Sequence, residues 1–349
     1  MIKVSLGSLR MVALFSRLTN NHILHFSMKI FSSIILLLFA ISGCGSDRDN
    51  SSKNTQTKSV VKEQIIVPKF DGKISFEYLK KQTDFGPRAP GSKAHNECLN
   101  YLNVEISKYA DKVSLQEFSH QGYNGEILKL TNIFSSFNEK ANTRILLLAH
   151  WDSRPRADQD PDLHKRSLPI LGANDGASGV AVLMEIARQL KAKQPAIGID
   201  ILFTDGEDYG KEGDTKNYLL GARYFSKNLP PGYKPVFGIL LDLVGDAQLE
   251  LLKERYSIDY APNIVELVWN TARDLGIEQF RDDVQNWVMD DHLPLNDVGI
   301  PTIDIIDFNY PDASNRYWHT SEDTPDKCSP ESLEAVGKVL LHVIYTYQK

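Results

Sequence analysis

The sequence predicts a doubly wound α/β fold, with a mostly parallel central sheet flanked by helices on both faces. Four apolar runs, residues 143–150, 197–205, 236–243 and 301–307, lack strict polar alternation, as expected of strands covered on both sides. Segments of helical periodicity at 178–193, 262–275 and 329–347 interleave with them, and strand followed by helix followed by strand implies parallel pairing. Acids and histidines gather at the carboxyl ends of the runs, where sheets of this kind bind ligands.

The elements follow in chain order. "TRILLLAH" (143–150) is a buried strand that ends on His150, with Asp152 just beyond. "GANDGASG" (172–179) is a glycine-rich loop holding Asp175, and the helix after it places Val180, Leu183, Met184, Ala187 and Leu190 on one stripe. "IGIDILFTD" (197–205) runs into Glu207 and Asp208. "VFGILLDL" (236–243) closes near Asp242, and Asp290, Asp291 and His292 precede "PTIDIID" (301–307). Residues 209–220 read as a loop at the rim of a pocket, where substrate selection can reside. No internal repeat is visible.

With 349 residues and 42% hydrophobic content, the chain can bury a large core, and one domain of about 250 to 300 residues accounts for it once the ends are set aside. A net charge of −6 without a clustered Lys or Arg stripe argues against nucleic acid as a partner.

The N-terminus reads as an address. From Met28 the chain runs "MKIFSSIILLLFAISGCGSD": one Lys, an apolar stretch too short to span a bilayer comfortably, then small residues ending at Cys44. "ISGC" (41–44) resembles the lipobox of bacterial lipoproteins, in which cleavage leaves a lipidated cysteine first. Residues 1–43 are therefore assigned to an upstream segment and signal peptide, 44–64 to the anchor site and a polar tether, and 65–349 to the catalytic domain. The expected location is the bacterial cell envelope, lipid-anchored on the periplasmic side, with the outer membrane as the holding membrane and a monomer as the state. Cys98 and Cys328 remain; a disulfide and a pair of buried free thiols both suit them.

Adjacent carboxylates repel, so Glu207 and Asp208 in "TDGEDYG" must have separate tasks. Acids and imidazoles at one sheet edge suit a cation site, with zinc the leading candidate for mixed N and O ligands. Taken singly, Asp175 could cap a helix, Asp242 could end a turn and His319 could bond in the core; their joint placement favours the metal.

Seven motifs in order, "FGPRAPGSKAH" (85–95), "AHWDS" (149–153), "GANDGASG" (172–179), "DGED" (205–208), "LLDLVG" (240–245), "DDHLPL" (290–295) and "WHTSEDT" (318–324), resemble the zinc-dependent glutaminyl cyclases. The bacterial type is most similar, within the zinc aminopeptidase-like superfamily. The resemblance implies that Asp175, Asp208 and His319 hold one Zn2+, that Glu207 transfers protons within an acidic group completed by Asp242 and Asp291, that Trp318 lines the pocket, and that the Asp175–Gly176 peptide is cis. The implied substrates are peptides or proteins with an N-terminal glutamine, which becomes pyroglutamate as ammonia leaves. His150 with Asp175 and Asp242 also matches the second metal site of two-zinc aminopeptidases, which is the alternative activity; an inactive binding lipoprotein is disfavoured because the metal and base positions are intact.

Overall fold

The computed structural model describes residues 65–347. The anchor, tether and signal assignments at 1–64 lie outside the described residues.

Two helices, α1 (Gly72–Thr83) and α2 (Lys93–Ile106), lead into a hairpin of β1 (Lys112–Gln121) and β2 (Ile127–Phe137). Then come β3 (Arg144–His150), α3 (Ala177–Ala192), β4 (Gly198–Thr204), α4 (Leu220–Lys227) and β5 (Gly238–Asp242). The remainder comprises β6 (Leu251–Lys253), α5 (Arg255–Tyr260), α6 (Pro262–Asp274), β7 (Phe280–Val284), α7 (His292–Asp297), β8 (Thr302–Ile306) and α8 (Pro330–Thr346).

The central sheet has six strands in the order β1-β2-β4-β3-β5-β8, and β6 and β7 form a small separate pair. β4, β3, β5 and β8 are parallel, whereas β1 and β2 join antiparallel at one edge. The four apolar runs thus form the parallel part. The antiparallel hairpin is an addition that the runs did not announce, because β1 carries Lys112, Gln116, Glu117 and His120 and buries no residue fully.

Alternate residues of the parallel strands serve different layers. Leu147 pairs with Ile201 and Ile239, and Ile239 with Ile303, and this row packs in the larger core with α3, α6 and α8. Leu146, Leu148, Leu202 and Leu240 face the other way, against Phe225 of α4 and Leu295 of α7. Both faces are covered, so the runs could be apolar throughout. Among the described residues no helix is long and apolar enough to cross a membrane. Cys98 and Cys328 are free and buried, and burial pushes the Cys98 thiol up to about 12.

α3 departs from a one-sided stripe. Ser178, Gly179, Ala181, Val182, Glu185 and Ile186 are buried as well as the predicted stripe, because α1 and α8 pack on the side away from the sheet. The helix also lies close to the sheet: a Cβ on Gly179 would fall 2.3 Å from the Leu241 carbonyl oxygen and 2.9 Å from Ala149 Cβ. Backbone cannot yield as a flexible side chain can. Gly179→Ala is therefore expected to destabilise the protein by about 1–3 kcal/mol through overpacking, despite the better helix propensity of alanine. Denaturant unfolding measures it, and a variant as stable as the parent contradicts the close approach.

Candidate active site

The carboxyl ends of β3, β4, β5 and β8 open into a pocket of about 540 Å³ whose lining includes Asp175, Glu207, Asp208, Asp242, Asp290, Trp318 and His319. Loop residues Glu212, Gly213, Asp214, Thr215 and Tyr218 form part of the same wall, so 209–220 does border the pocket.

Each ligand candidate sits on a differently constrained segment. Asp175 closes the glycine-rich loop before α3, and its peptide bond to Gly176 is cis. A Cβ on Gly176 would lie 2.5 Å from His150 Cε1, so only glycine lets the loop rest on that ring. Asp208 lies in a short 3-10 turn after β4. His319 has a φ of 55° and its ring stacks on the preceding Trp318 with centroids 3.6 Å apart.

These three side chains converge. His319 Nε2 is 3.6 Å from Asp175 Oδ2 and 3.5 Å from Asp208 Oδ2, and all three residues are buried. Donors bound tetrahedrally to zinc at about 2.0–2.2 Å lie roughly 3.3–3.6 Å apart, so the set fits that ion. Asp208 Oδ1 accepts from Arg154 Nη1, while its Oδ2 is buried with no hydrogen-bond partner among the described residues. Burial, reinforced by Arg154 and Arg156, holds His319 well below its ordinary pKa, which keeps it neutral as a ligand requires.

His150 has the opposite character. Its Nε2 lies 3.2 Å from both Asp175 Oδ1 and Asp242 Oδ1, forming a second group that could take a cation. Burial alone would push this imidazole down, but Asp152, Asp175 and Asp242 outweigh it and hold the pKa well above the usual value. Asp242 Oδ1 accepts both the His150 ring and the Leu243 amide, the latter at 2.8 Å.

Glu207 and Asp208 diverge. Asp208 turns to Arg154 and the ligand set, whereas the Glu207 carboxylate faces the pocket and accepts no hydrogen bond from the described residues. Burial, then Asp208 and Asp290, raises the Glu207 pKa well above the carboxylate range.

One assignment needs correction. Asp290, not Asp291, lines the pocket. Asp291 stands at the start of α7, where the chain turns its carboxylate inward to the Thr204 hydroxyl, and it is wholly buried. Its pKa is pushed up to about 7 by burial. Asp290 is also raised well above its ordinary range, by burial and then by Asp242 and Asp291. His292 points away from the pocket, 3.5 Å from Glu254 Oε2 and 4.0 Å from Asp304 Oδ2. Arg154 was not singled out from the sequence, although it lies one residue beyond "AHWDS" (149–153); its partner Asp208 is distant in the chain and only folding pairs them.

Comparison with known proteins identifies the family. The profile of Peptidase family M28 matches residues 132–344. A glutaminyl-peptide cyclotransferase from Boiga dendrophila is 24% identical over 300 residues, covering 75% of this chain and 77% of that protein. The crystal structure of Bacteroides thetaiotaomicron glutaminyl cyclase bound to N-acetylhistamine is similar at 44% identity with a TM-score of 0.78, covering 81% of this chain and 100% of that one. A leucine aminopeptidase precursor from Bacteroides thetaiotaomicron VPI-5482 gives 44% identity and a TM-score of 0.78, over 82% of this chain and 100% of that one. The chain belongs to Peptidase family M28, and within it to the zinc-dependent glutaminyl cyclases.

Proposed function

We propose that this pocket closes the N-terminal glutamine of a peptide or protein on itself, releasing ammonia and leaving pyroglutamate. The observation that carries the reading is the divergence of Glu207 and Asp208, one carboxylate free in the pocket and its neighbour committed to the ligand set. Asp175, Asp208 and His319 would hold the zinc, which would supply Lewis acidity and a counter-charge for the side-chain amide.

The α-nitrogen bonds to the side-chain carbonyl carbon, and the bond from that carbon to the amide nitrogen breaks. Glu207 takes the proton lost by the α-amine and returns it to the leaving nitrogen, so it ends as it began. Asp208 and Asp290 stand close enough to Glu207 to raise its affinity for the transferred proton. Trp318 walls the space for the glutamine side chain, and Phe308 fixes that indole edge-on at 5.2 Å. Nucleophile and electrophile belong to one residue, so proximity lowers the barrier without an activated water.

The group of His150, Asp175 and Asp242 favours a second reading, a two-zinc aminopeptidase. One zinc is the better account. Asp242 Oδ1 is already occupied by an amide and an imidazole, and His150, ringed by carboxylates, itself serves as the cation of that corner.

The resemblance of Cys44 to a lipobox supports an enzyme tethered by lipid in the bacterial cell envelope, with residues 45–64 as the tether.

Four outcomes test these assignments. The purified protein is expected to contain one zinc per chain and to release ammonia from Gln-peptides, with little free amine from amino-acid anilides; two tightly held zincs with anilide hydrolysis would favour the aminopeptidase. Glu207→Gln should lower turnover by about 10²–10⁴ with zinc retained, whereas Asp208→Ala should lose zinc. Asp290→Asn should impair turnover more than Asp291→Asn, and metal analysis beside the rates shows whether these roles are reversed. Finally, Cys44→Ala is expected to move the protein from the membrane fraction to the soluble one, and retention in membranes argues against the lipid anchor.

A further inference from the structure

Buried carboxylates outside the ligand set grip the backbone that carries each ligand. Asp152 accepts from the amides of Glu207 and Asp208 at 3.1 and 3.3 Å. Asp160 Oδ2 accepts both the amide and the hydroxyl of Ser321, at 2.9 and 2.6 Å, two residues beyond His319. Asp323 Oδ1 accepts from the Asn174 amide at 2.8 Å, and its Oδ2 from the Asp175 amide at 3.2 Å.

Asp323 differs from the other two because it joins two ligand loops. It lies on the His319 segment, four residues further on, and its oxygens hold the segment that ends at Asp175. Its own backbone carbonyl takes the Ala173 amide at 3.4 Å, and the Tyr310 hydroxyl donates to Oδ1 at 2.9 Å. Arg88 pins the same loop from the opposite end, donating to the carbonyls of Leu171 and Gly172 at 2.8 Å each. The two amides go to different oxygens of Asp323, an arrangement that a carboxylate provides and a carboxamide, with one acceptor oxygen, does not. Asp323 is wholly buried, so water cannot take over either bond.

We propose that Asp323 is a positioning residue for the zinc site: by clamping the Asn174 and Asp175 amides to the His319 loop, it sets the placement of two ligands relative to each other. The inference rests on the ligand assignment made above. Support of this kind typically carries 10–100-fold in metal affinity.

The test compares Asp323→Asn with Glu185→Gln, a control that neutralises a buried carboxylate on α3 whose partners, Asp71, Arg188 and Gln189, lie outside the ligand set. Zinc affinity is read by chelator competition, coordination geometry by the visible spectrum of the cobalt-substituted protein, and folding by melting of the metal-free form. Asp323→Asn is expected to bind zinc roughly 10–100-fold more weakly with an altered cobalt spectrum, while Glu185→Gln leaves both as in the parent. Zinc affinity unchanged in Asp323→Asn overturns the proposal, as does weaker binding with an unaltered cobalt spectrum, which is the mark of lost charge alone. If Asp323→Asn does not fold, Tyr310→Phe removes one bond to the same carboxylate; a smaller loss with the same spectral change supports the proposal, and no change overturns it. Asp175→Ala separates the two levels of inference: full zinc retention there sinks the ligand assignment itself, whereas zinc loss there with an unaffected Asp323→Asn sinks only the positioning role.

Discussion

Crowding of negative charge at one sheet edge is the constraint on which the rest of this site depends. Asp152, Asp175, Asp208, Asp242, Asp290 and Asp291 are each at most 9% exposed, and two like charges 4 Å apart repel by about 4 kcal/mol even at an effective dielectric of 20. Such a cluster persists only if its charges are neutralised locally. Arg154 serves Asp208, His150 serves Asp242, and backbone amides serve Asp152 and Asp323. A zinc ion held by Asp175, Asp208 and His319 would complete the balance. Glu207, which accepts no hydrogen bond from the described residues, and Asp290, which accepts only the Asp291 amide, have strongly raised pKa values, and that is the property proton transfer needs.

The two imidazoles show that surroundings, rather than burial, assign roles. Both His150 and His319 are buried, and burial alone would push each down. Three carboxylates around His150 reverse that tendency, whereas Arg154 and Arg156 near His319 reinforce it. One ring becomes a counter-charge and the other a neutral donor, within a single pocket.

Legibility in the sequence followed burial. β3, β4, β5 and β8 came out within one or two residues because both their faces are covered and the runs are apolar throughout. β1 did not, since an edge strand with polar side chains resembles a loop. α3 was found, but its second apolar side was not, because the helices covering it come from distant parts of the chain. The motifs brought Asp175, Glu207, Asp208, Asp242, Trp318 and His319 to one pocket. Between Asp290 and Asp291 the resemblance took the second: adjacent carboxylates at a helix start point apart, and only the backbone settles which one meets the cavity. Asp152 and Asp323 were equally hidden as clamps, since a carboxylate that accepts amides from another loop looks in sequence like any other acid of its motif.

Ligand geometry here is a property of the core as much as of the loops. Gly179 lets α3 rest against the Leu241 carbonyl, and Ser178 and Asn174, just before it, bond the amides of Val244 and Gly245 at 3.1 and 2.7 Å. The segment carrying Asp175 is therefore fixed to β5 and to the residues just after it. β5 also ends in Asp242, so the glycine-rich loop and this pocket acid are held to the same strand. Asp152 ties the Glu207 and Asp208 turn to the end of β3, which pairs with β4 and β5 at the centre of the sheet. A site held to a fraction of an ångström needs such support from rigid elements. The parallel sheet supplies it: neighbouring strand ends already lie one strand spacing apart, and short polar clamps only have to correct the remainder.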